Sequence, residues 1–197
     1  MSGSPRTPRR LERIRAVLSR RQPDLTLVLA NIHDPHNVSA IYRSCDAFGI
    51  PAVHLYYTDT PFPVVGKKSS ASARKWVDTV RHADSRSLFA DLKARGMQVL
   101  ATCLEPEARP LDSFNFTLPT AVIVGNEHQG VDRQLCELAD AALYIPMYGM
   151  IQSLNVSVAA AVILAEASRQ RVLAGQYGRP AWPEDELERL AAEWSGK

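Results

Sequence analysis

The stretch "LTLVLANIHDPHNVSAIYRSCDAFGIPAVHLYY", residues 25–57, decides the fold class, because two apolar runs flank a helical pattern in it. Residues 25–32 and 52–57 are short apolar runs that predict buried strands. Between them, at 36–49, apolar side chains recur every three or four residues and predict the buried face of a helix. Asp34 and the proline after it suit the start of that helix, and a glycine ends it. The stretch therefore predicts a strand–helix–strand unit.

The same alternation continues to residue 174 and predicts a single α/β domain. Further strands are predicted at residues 75–81, 98–104, 120–125 and 141–146, and further helices at residues 85–96, 131–139 and 153–174. Strands that alternate with helices favour a mostly parallel sheet covered by helices on both faces. The chain has 197 residues, of which 46% are hydrophobic and 22% charged, and this composition is typical of a globular domain with a sizeable core.

Positive charge is concentrated at the N-terminus of the chain. Residues 1–21 hold seven arginines and one acidic residue, a net charge of +6, whereas the whole chain carries +2. Leu11, Ile14 and Leu18 recur at helical spacing, so this arm is predicted to be an amphipathic helix that docks one side on the body. A basic arm on an acidic body is typical of a protein that binds a polyanion. The alternative is a solvated helix face without a partner.

The cysteines and histidines bear on compartment and metal binding. Cys45, Cys103 and Cys136 are odd in number and far apart, which predicts a protein of the reducing cytoplasm without a disulfide framework or a zinc site. His33 and His36 are close in sequence, but no third well-placed ligand accompanies them, so no metal is predicted. No apolar run reaches about 18 residues, so no membrane span is predicted either.

Polar loops follow three of the predicted strands. They are NIHDPHN at 31–37, GNEHQG at 125–130 and PMYGMIQSLN at 146–155. Ligands of parallel sheets bind at the carboxyl ends of the strands, where helix starts offer free backbone N–H groups, so these loops form the candidate site. GNEHQG matches neither a dinucleotide nor a nucleoside triphosphate motif. The alternatives are that its glycines only make a tight turn, and that Ser153 or Asn155 only caps the last helix.

Residues 31–49, 123–131 and 145–164 together resemble, in the same order, the three signature motifs of the SPOUT RNA methyltransferases, and specifically of the TrmH family. The resemblance implies that a methyl group passes from S-adenosyl-L-methionine to the ribose 2′-hydroxyl of a tRNA guanosine, expected at position 18 of the D-loop. It also implies a homodimer. It implies a deep trefoil knot in the C-terminal half as well, a topology that ordinary chain connections avoid.

The resemblance extends to individual site residues. The donor is expected to be held largely by backbone groups, at the matching positions Thr102, Gly125, Glu127, Ile145, Met147, Ser153 and Leu154. Arg43 matches the catalytic arginine of the family, and Asn37 matches the asparagine that orients this site. Ser153 and Asn155 shape the ribose pocket from the other side. Arg43 is expected to act either as the activating base or as a charged group that stabilises a developing alkoxide. The alternative to a catalytic role is that Arg43 only forms an exposed ion pair with Asp46.

Candidate RNA contacts follow from charge and from the same resemblance. They are Arg9, Arg10, Arg13, Arg20, His36, Arg169, Arg171 and Arg179. The last three have no acidic residue between positions 167 and 183, so they are interpreted as phosphate contacts.

The resemblance and the charge distribution divide the chain into three parts. These are a basic helical arm at residues 1–22, a methyltransferase domain at 23–175 and a C-terminal helical extension at 176–197. Two alternative functions stay open, a 2′-O-methyltransferase of ribosomal RNA and a non-catalytic RNA-binding protein. The partners expected are tRNA and a second copy of the chain.

Overall fold

The computed structural model describes residues 7–59, 61–63 and 73–197. The strands are β1 (Leu25–Ala30), β2 (Ala52–Tyr56), β3 (Asp78–His82), β4 (Gln98–Thr102), β5 (Arg109–Pro110), β6 (Thr120–Val124) and β7 (Ala141–Tyr144). The α-helices are α1 (Pro8–Leu18), α2 (Pro35–Ala47), α3 (Ser85–Ala94), α4 (Arg133–Leu138), α5 (Val156–Leu173) and α6 (Glu184–Ser195). No helix in these ranges is long and apolar enough to cross a membrane. Residues 1–6, which include Arg6 of the basic arm, lie outside the described residues.

The strands form one sheet in the order β3-β2-β1-β6-β4-β7-β5, and every neighbouring pair is parallel. The predicted parallel α/β sheet is therefore confirmed. The strands β1 and β6 lie at its centre, which explains why all their residues are buried and why, apart from Thr26 and Thr120, they are apolar. The sequence did not predict the two-residue strand β5, which is too short to show a pattern.

Helices cover both faces of the sheet, as predicted. Side chains of a strand point alternately to opposite faces, so β1 feeds two cores. Leu27 and Leu29 pack in a cluster with apolar residues of α2 and α5, whereas Val28 and Ala30 pack with α3 and α4 on the other face. Local signals place α2: Asp34 caps it by accepting a hydrogen bond from the His36 backbone N–H at 2.8 Å.

The two terminal helices pack on each other. Ile14 and Leu18 of α1 form a buried cluster with Ala191 and Trp194 of α6. The basic arm is therefore an amphipathic helix, and the tail is a helix that covers its apolar side. A buried arginine, Arg21, holds the end of the arm on the body, because it donates hydrogen bonds to the Ile50 carbonyl at 2.9 Å and to Asp46 at 2.5 Å.

The prediction that Arg171 contacts RNA at the surface is wrong. Its side chain is fully buried, with Nη1 2.5 Å from an oxygen of Asp24 and Nε 2.8 Å from the Phe116 carbonyl oxygen. A further bond joins Nη2 to the Leu118 carbonyl oxygen at 3.0 Å. The acidic partner lies 147 residues earlier in the chain, so inspection of the neighbouring sequence could not find it. Arg171 ties α5 to the start of β1 and to the segment before β6.

The expectation that the cysteines form no disulfide is also wrong. Cys103 and Cys136 are bonded, with their Cα atoms 6.4 Å apart. They are separated by 33 residues in sequence, but the end of β4 lies beside α4 in space. Cys45 is free and buried on the other face of the sheet, and burial raises the pKa of its thiol above the ordinary range.

Two histidines that the sequence left unassigned lie together in the interior. The His54 Nδ1 atom is 2.9 Å from His82 Nε2 and 3.5 Å from a carboxylate oxygen of Asp91. The ring centroids are 5.1 Å apart, so the two nitrogens lie nearly on the line between the rings, which suits an N–H···N hydrogen bond. Burial, together with His82, lowers the pKa of His54 to about 4, so both rings are neutral at neutral pH.

Candidate active site

The predicted site loops leave neighbouring strands at one edge of the sheet. The order β1-β6-β4-β7 places the loops that follow these four strands side by side at their carboxyl ends. Thr102 ends β4, the turn at 125–130 follows β6, and the loop at 145–155 follows β7. Parallel topology therefore gathers the three polar motifs and Thr102 at the edge where α/β proteins bind ligands.

A chain of hydrogen bonds connects the three motifs. The Asn37 amide donates to a carboxylate oxygen of Glu127 at 2.5 Å, and the Asn155 amide donates to the Asn37 side-chain oxygen at 3.0 Å. The other carboxylate oxygen of Glu127 accepts from the backbone N–H of His33 at 3.4 Å. Asn37 is 92% buried, and its two bonds fix which way the amide points. We refer to Glu127, Asn37 and Asn155 as the polar bridge.

Asn155 has a second role as the cap of α5. Its side-chain oxygen accepts from the Ser157 backbone N–H at 2.9 Å and from the Ser157 hydroxyl at 2.6 Å. The amide nitrogen meanwhile donates to Asn37, so capping and site binding use different atoms of one side chain. Capping is therefore only part of its role. The helix begins at Val156, three residues later than the sequence predicted, and Ser153 lies in the exposed loop before it.

The GNEHQG turn positions Glu127. Asn126 and Gly130 form a two-residue antiparallel bridge, with both N···O distances 3.1 Å. A Cβ atom on Gly125 would lie 1.9 Å from the backbone carbon of Gly130, so only glycine allows the turn to close. Gly130 has a φ of 70°, which also favours glycine. The glycines therefore do make a tight turn, and a contact of Gly125 with the donor stays a prediction. Asn126 was not predicted, although asparagine at the start of a turn is a known signal: its side-chain oxygen accepts from the backbone N–H groups of His128 and Gln129 at 2.9 and 2.7 Å.

The loop after β7 offers free backbone groups. From Met147 to Leu154 no backbone N–H donates a hydrogen bond to any described residue, and this segment is exposed. A ligand held by backbone atoms requires such unpaired groups. Ile145 lines an open cavity of about 540 Å³ between this loop and α5. The Thr102 hydroxyl, by contrast, already donates to the Ile123 carbonyl at 3.1 Å, so it presents only lone pairs to a ligand.

Arg43 lies on the exposed face of α2, as its position off the apolar stripe predicted. The expected alternative, a pair with Asp46, does not form, because Asp46 accepts a hydrogen bond from Arg21 instead. No described side chain pairs with Arg43. It lies six residues after Asn37, about 9 Å along the helix axis, so it does not contact the polar bridge. It lines an open cavity of about 340 Å³ together with His36, Ser39, Ala40 and Ser44.

The other candidate RNA contacts are exposed but differ in their pairing. Arg9, Arg10, Arg13, Arg20, His36 and Arg179 are exposed and have no acidic partner among the described residues. Arg15, by contrast, pairs with Glu188 of α6 at 2.7 Å. Arg169 is also exposed but is paired, because Glu166, one turn earlier, accepts two hydrogen bonds from it at 2.8 Å. Glu166 lies just before the acid-free segment at 167–183, and a contact of Arg169 with RNA stays a prediction.

The fold and the site together define an α/β enzyme domain with a ligand site at the carboxyl edge of a parallel sheet. The family model of the SpoU rRNA methylases matches residues 24–165. The chain belongs to this SpoU methylase family.

Relatives and solved structures agree with this family. The chain is 48% identical to the tRNA (guanosine(18)-2′-O)-methyltransferase of Thermus thermophilus over 192 aligned residues. The alignment covers 98% of each protein. It is 43% identical to the Escherichia coli enzyme of the same name, over 94% of this chain and 82% of that one.

Two solved structures show the same fold. The Aquifex aeolicus TrmH/SpoU tRNA modifying enzyme superimposes with a TM-score of 0.88 at 39% identity, over 95% of both chains. The SpoU methyltransferase AviRb of Streptomyces viridochromogenes, solved in complex with the cofactor AdoMet, has a TM-score of 0.69 at 28% identity, over 79% of this chain and 60% of that one.

Proposed function

We propose that this protein transfers a methyl group from S-adenosyl-L-methionine to the ribose 2′-hydroxyl of guanosine 18 in tRNA. The observation that carries the proposal is the polar bridge, which joins all three motif loops at the carboxyl edge of the sheet. The proposal is supported by full-length relatives whose names specify this reaction.

The residues at the carboxyl edge fit the methyl donor. S-adenosyl-L-methionine, when bound, supplies a methyl group on a positively charged sulfur. The free backbone groups of residues 147–154 suit a donor held by main-chain atoms, together with Thr102, Ile145 and the turn that begins at Gly125. The Glu127 carboxylate adds a negative charge beside this edge, which favours a cationic ligand.

Arg43 and the polar bridge act on the acceptor in this proposal. Asn37 keeps one amide N–H and one lone pair beyond its two bonds, and these orient the ribose hydroxyl together with Ser153. A guanidinium does not normally lose its proton in a protein, so Arg43 acts as a fixed charge. It holds the RNA phosphate and stabilises the alkoxide that develops as the hydroxyl gives up its proton, which passes to solvent.

Transfer of labelled methyl from S-adenosyl-L-methionine to purified tRNA tests the function. We expect incorporation at the 2′-hydroxyl of guanosine 18 and none into a tRNA whose ribose at that position already carries the methyl group. The same assay with ribosomal RNA tests the first alternative, a 2′-O-methyltransferase of ribosomal RNA. Absence of incorporation into either RNA, by a protein that binds both donor and tRNA, would favour a non-catalytic RNA-binding protein.

A homodimer is part of the proposal, and exposed apolar side chains support it. Tyr148, Met150 and Ile151 in the loop after β7 are 98%, 99% and 69% exposed, and Val158 and Val162 continue this surface along α5. Contiguous apolar surface of this kind marks an interface. Sedimentation at micromolar concentration is expected to give twice the chain mass of 21.8 kDa.

A double substitution tests which surface forms the dimer. Val158→Glu with Val162→Glu is expected to lower the sedimenting mass to that of the single chain, because two charges would be buried without partners. Leu138→Glu is the matched control, since Leu138 is similarly exposed but lies in α4, on the opposite face of the sheet. Dissociation by the control and not by the double variant would place the interface elsewhere.

The salt dependence of tRNA binding tests the basic arm. Replacement of Arg9, Arg10 and Arg13 by alanine is expected to flatten the slope of log affinity against log salt concentration by about two units, at roughly 0.7 to 0.9 per lost phosphate contact. Donor affinity is expected to stay unchanged. Binding titrations at several salt concentrations measure both quantities.

Paired arginines provide the control for this charge removal. Arg133 and Arg189 each donate hydrogen bonds to a neighbouring glutamate, and we expect their double replacement by alanine to leave the slope nearly unchanged. An unaltered slope in the triple variant would show that the arm is a solvated helix face.

Three further parts of the proposal stay untested. They are the division of the chain at residues 22 and 175, which rests on the resemblance and the charge distribution, the cytoplasmic location, which was predicted from the cysteine pattern, and the trefoil knot, which the resemblance implies. The knot is supported by the similarity of the fold to the Aquifex aeolicus TrmH/SpoU enzyme. Each stays a prediction, and an experimental chain trace through residues 98–174 tests the knot.

A further inference from the structure

The disulfide lies at the donor edge of the sheet. Cys103 directly follows Thr102 at the end of β4, and Cys136 lies in α4, the helix that follows the GNEHQG turn. The bond therefore crosslinks two segments that both carry proposed donor contacts. The methyl-transfer chemistry does not use either cysteine, so it does not explain this crosslink.

Few other contacts hold the segment after Cys103. Residues 104–107 are exposed, with Leu104 86% exposed, and the backbone hydrogen bonds that flank them are both local, from the Cys103 N–H to the Ala101 carbonyl and from the Ala108 N–H to the Glu105 carbonyl. The helix α4 is better anchored, because Asp132 caps it and Leu135 is fully buried. The disulfide therefore tethers the weakly held loop at residues 104–107 to a firmly held helix, whereas Thr102 itself is held by the pairing of β4 with β7 and by its bond to the Ile123 carbonyl.

We propose that Cys103 and Cys136 form a reversible redox site that controls the affinity for the methyl donor. The inference rests on the proposed function, because it assigns regulation to the same site. In the oxidised form the tether fixes the start of the loop at residues 104–107 relative to α4 and the turn from Gly125. Reduction frees this loop, which directly follows Thr102 and Cys103, so the donor must then order the loop as it binds, and the donor affinity falls.

The reaction is thiol–disulfide exchange with a dithiol or with two monothiols. A thiolate of the reductant attacks the Cys136 sulfur, because that residue is partly exposed whereas Cys103 is 94% buried. The S–S bond breaks, and the Cys103 thiolate leaves and takes up a proton. A second reductant thiolate then attacks the mixed disulfide, which releases Cys136 as a thiol and the reductant as its own disulfide. Two electrons pass from the reductant to the protein.

The geometry allows the reduced form to persist. In the oxidised structure the Cys136 sulfur lies 3.7 Å from the Val131 carbonyl oxygen, which can accept a weak hydrogen bond from the thiol that reduction creates. Cys45 cannot exchange into the pair, because it is fully buried on the opposite face of the sheet. The bond between Cys103 and Cys136 can therefore be reduced and formed again without exchange with Cys45.

Alkylation of the unfolded protein followed by mass measurement counts its free thiols directly. We expect one free thiol after treatment with oxidised glutathione and three after treatment with dithiothreitol. Calorimetry with S-adenosyl-L-methionine is expected to show a dissociation constant about tenfold higher for the reduced protein. The tRNA affinity, measured without donor, should be equal in the two states. Three free thiols after oxidation, or equal donor affinity in the two forms, would overturn the proposal.

Variants separate this site from the other cysteine and from the proposed function. Cys45→Ser should keep the full response to reductant, whereas Cys136→Ser should show the reduced affinity under both conditions. The wild-type comparison needs neither variant, so a folding defect in one of them leaves the test intact. An oxidised protein that binds donor but methylates no RNA would contradict the proposed function and leave the redox site standing.

Discussion

Replacement of Arg43 by alanine is expected to lower the rate of methyl transfer by at least about 100-fold, because removal of one charged group that stabilises a developing oxyanion typically costs this much. Arg43 is exposed and unpaired among the described residues, so its removal leaves no buried group without a partner. The fold and the donor affinity should therefore survive. Single-turnover methylation of tRNA with saturating donor measures the loss, and calorimetry measures donor binding.

Two further arginine variants make this test specific. Arg43→Lys keeps a charge but loses the planar guanidinium, so we expect it to recover only part of the rate. Arg86→Ala removes an equally exposed arginine from α3, on the opposite face of the sheet, and is expected to turn over normally. Near-normal turnover of Arg43→Ala would remove this residue from the catalytic machinery.

Replacement of Arg171 by leucine is expected to lower the free energy of unfolding by about 3 kcal/mol. This value is at the low end of the range for removing one partner of a buried ion pair, because the Asp24 partner is partly exposed. The substitution leaves a carboxylate, two backbone carbonyl groups and the side-chain oxygen of Gln22 without their Arg171 donor. Urea denaturation measures the change, with all variants at one protein concentration because self-association, where it occurs, adds to stability.

Arg169→Leu is the matched control for this prediction. The two arginines lie two residues apart on α5, but Arg169 pairs with Glu166 at the surface, and such pairs contribute about 0 to 1 kcal/mol. We therefore expect the control to unfold nearly as the wild type does. If Arg171→Leu were equally stable and instead lost affinity for tRNA, the original interpretation of Arg171 as a phosphate contact would be restored.

The strands and helices could largely be predicted because their signals are local. The central strand β1 is buried on both faces, and its sequence is apolar except for Thr26. The start of α2 follows from Asp34, whose side chain bonds a backbone group two residues away. The start of α5 was predicted three residues too early, because Ser153 and Asn155 are both good caps and only Asn155 is used.

The candidate site was predicted in part. Its polar loops could be predicted to lie together, because parallel strands bring their carboxyl ends to one edge whatever their order. The individual residues in these loops were named from the family resemblance. The bonds from Asn37 to Glu127 and Asn155 could not, since they span 90 and 118 residues and depend on which helix lies over which loop. The burial of the arginines could not be predicted either. Arg43 and Arg171 both lie in predicted helices, and only the tertiary structure shows that Arg43 is exposed and Arg171 is buried.

The sequence by itself determined the α/β class, the element pattern and the polar motifs of this protein, because periodicity, caps and turns act over a few residues. The tertiary structure alone decided the strand order, the bond between Cys103 and Cys136, and the burial of Arg171 against Asp24. The physical reason is distance: ion pairs, hydrogen bonds and disulfides form only between groups a few ångströms apart. Which distant residues come so close depends on how the whole chain packs.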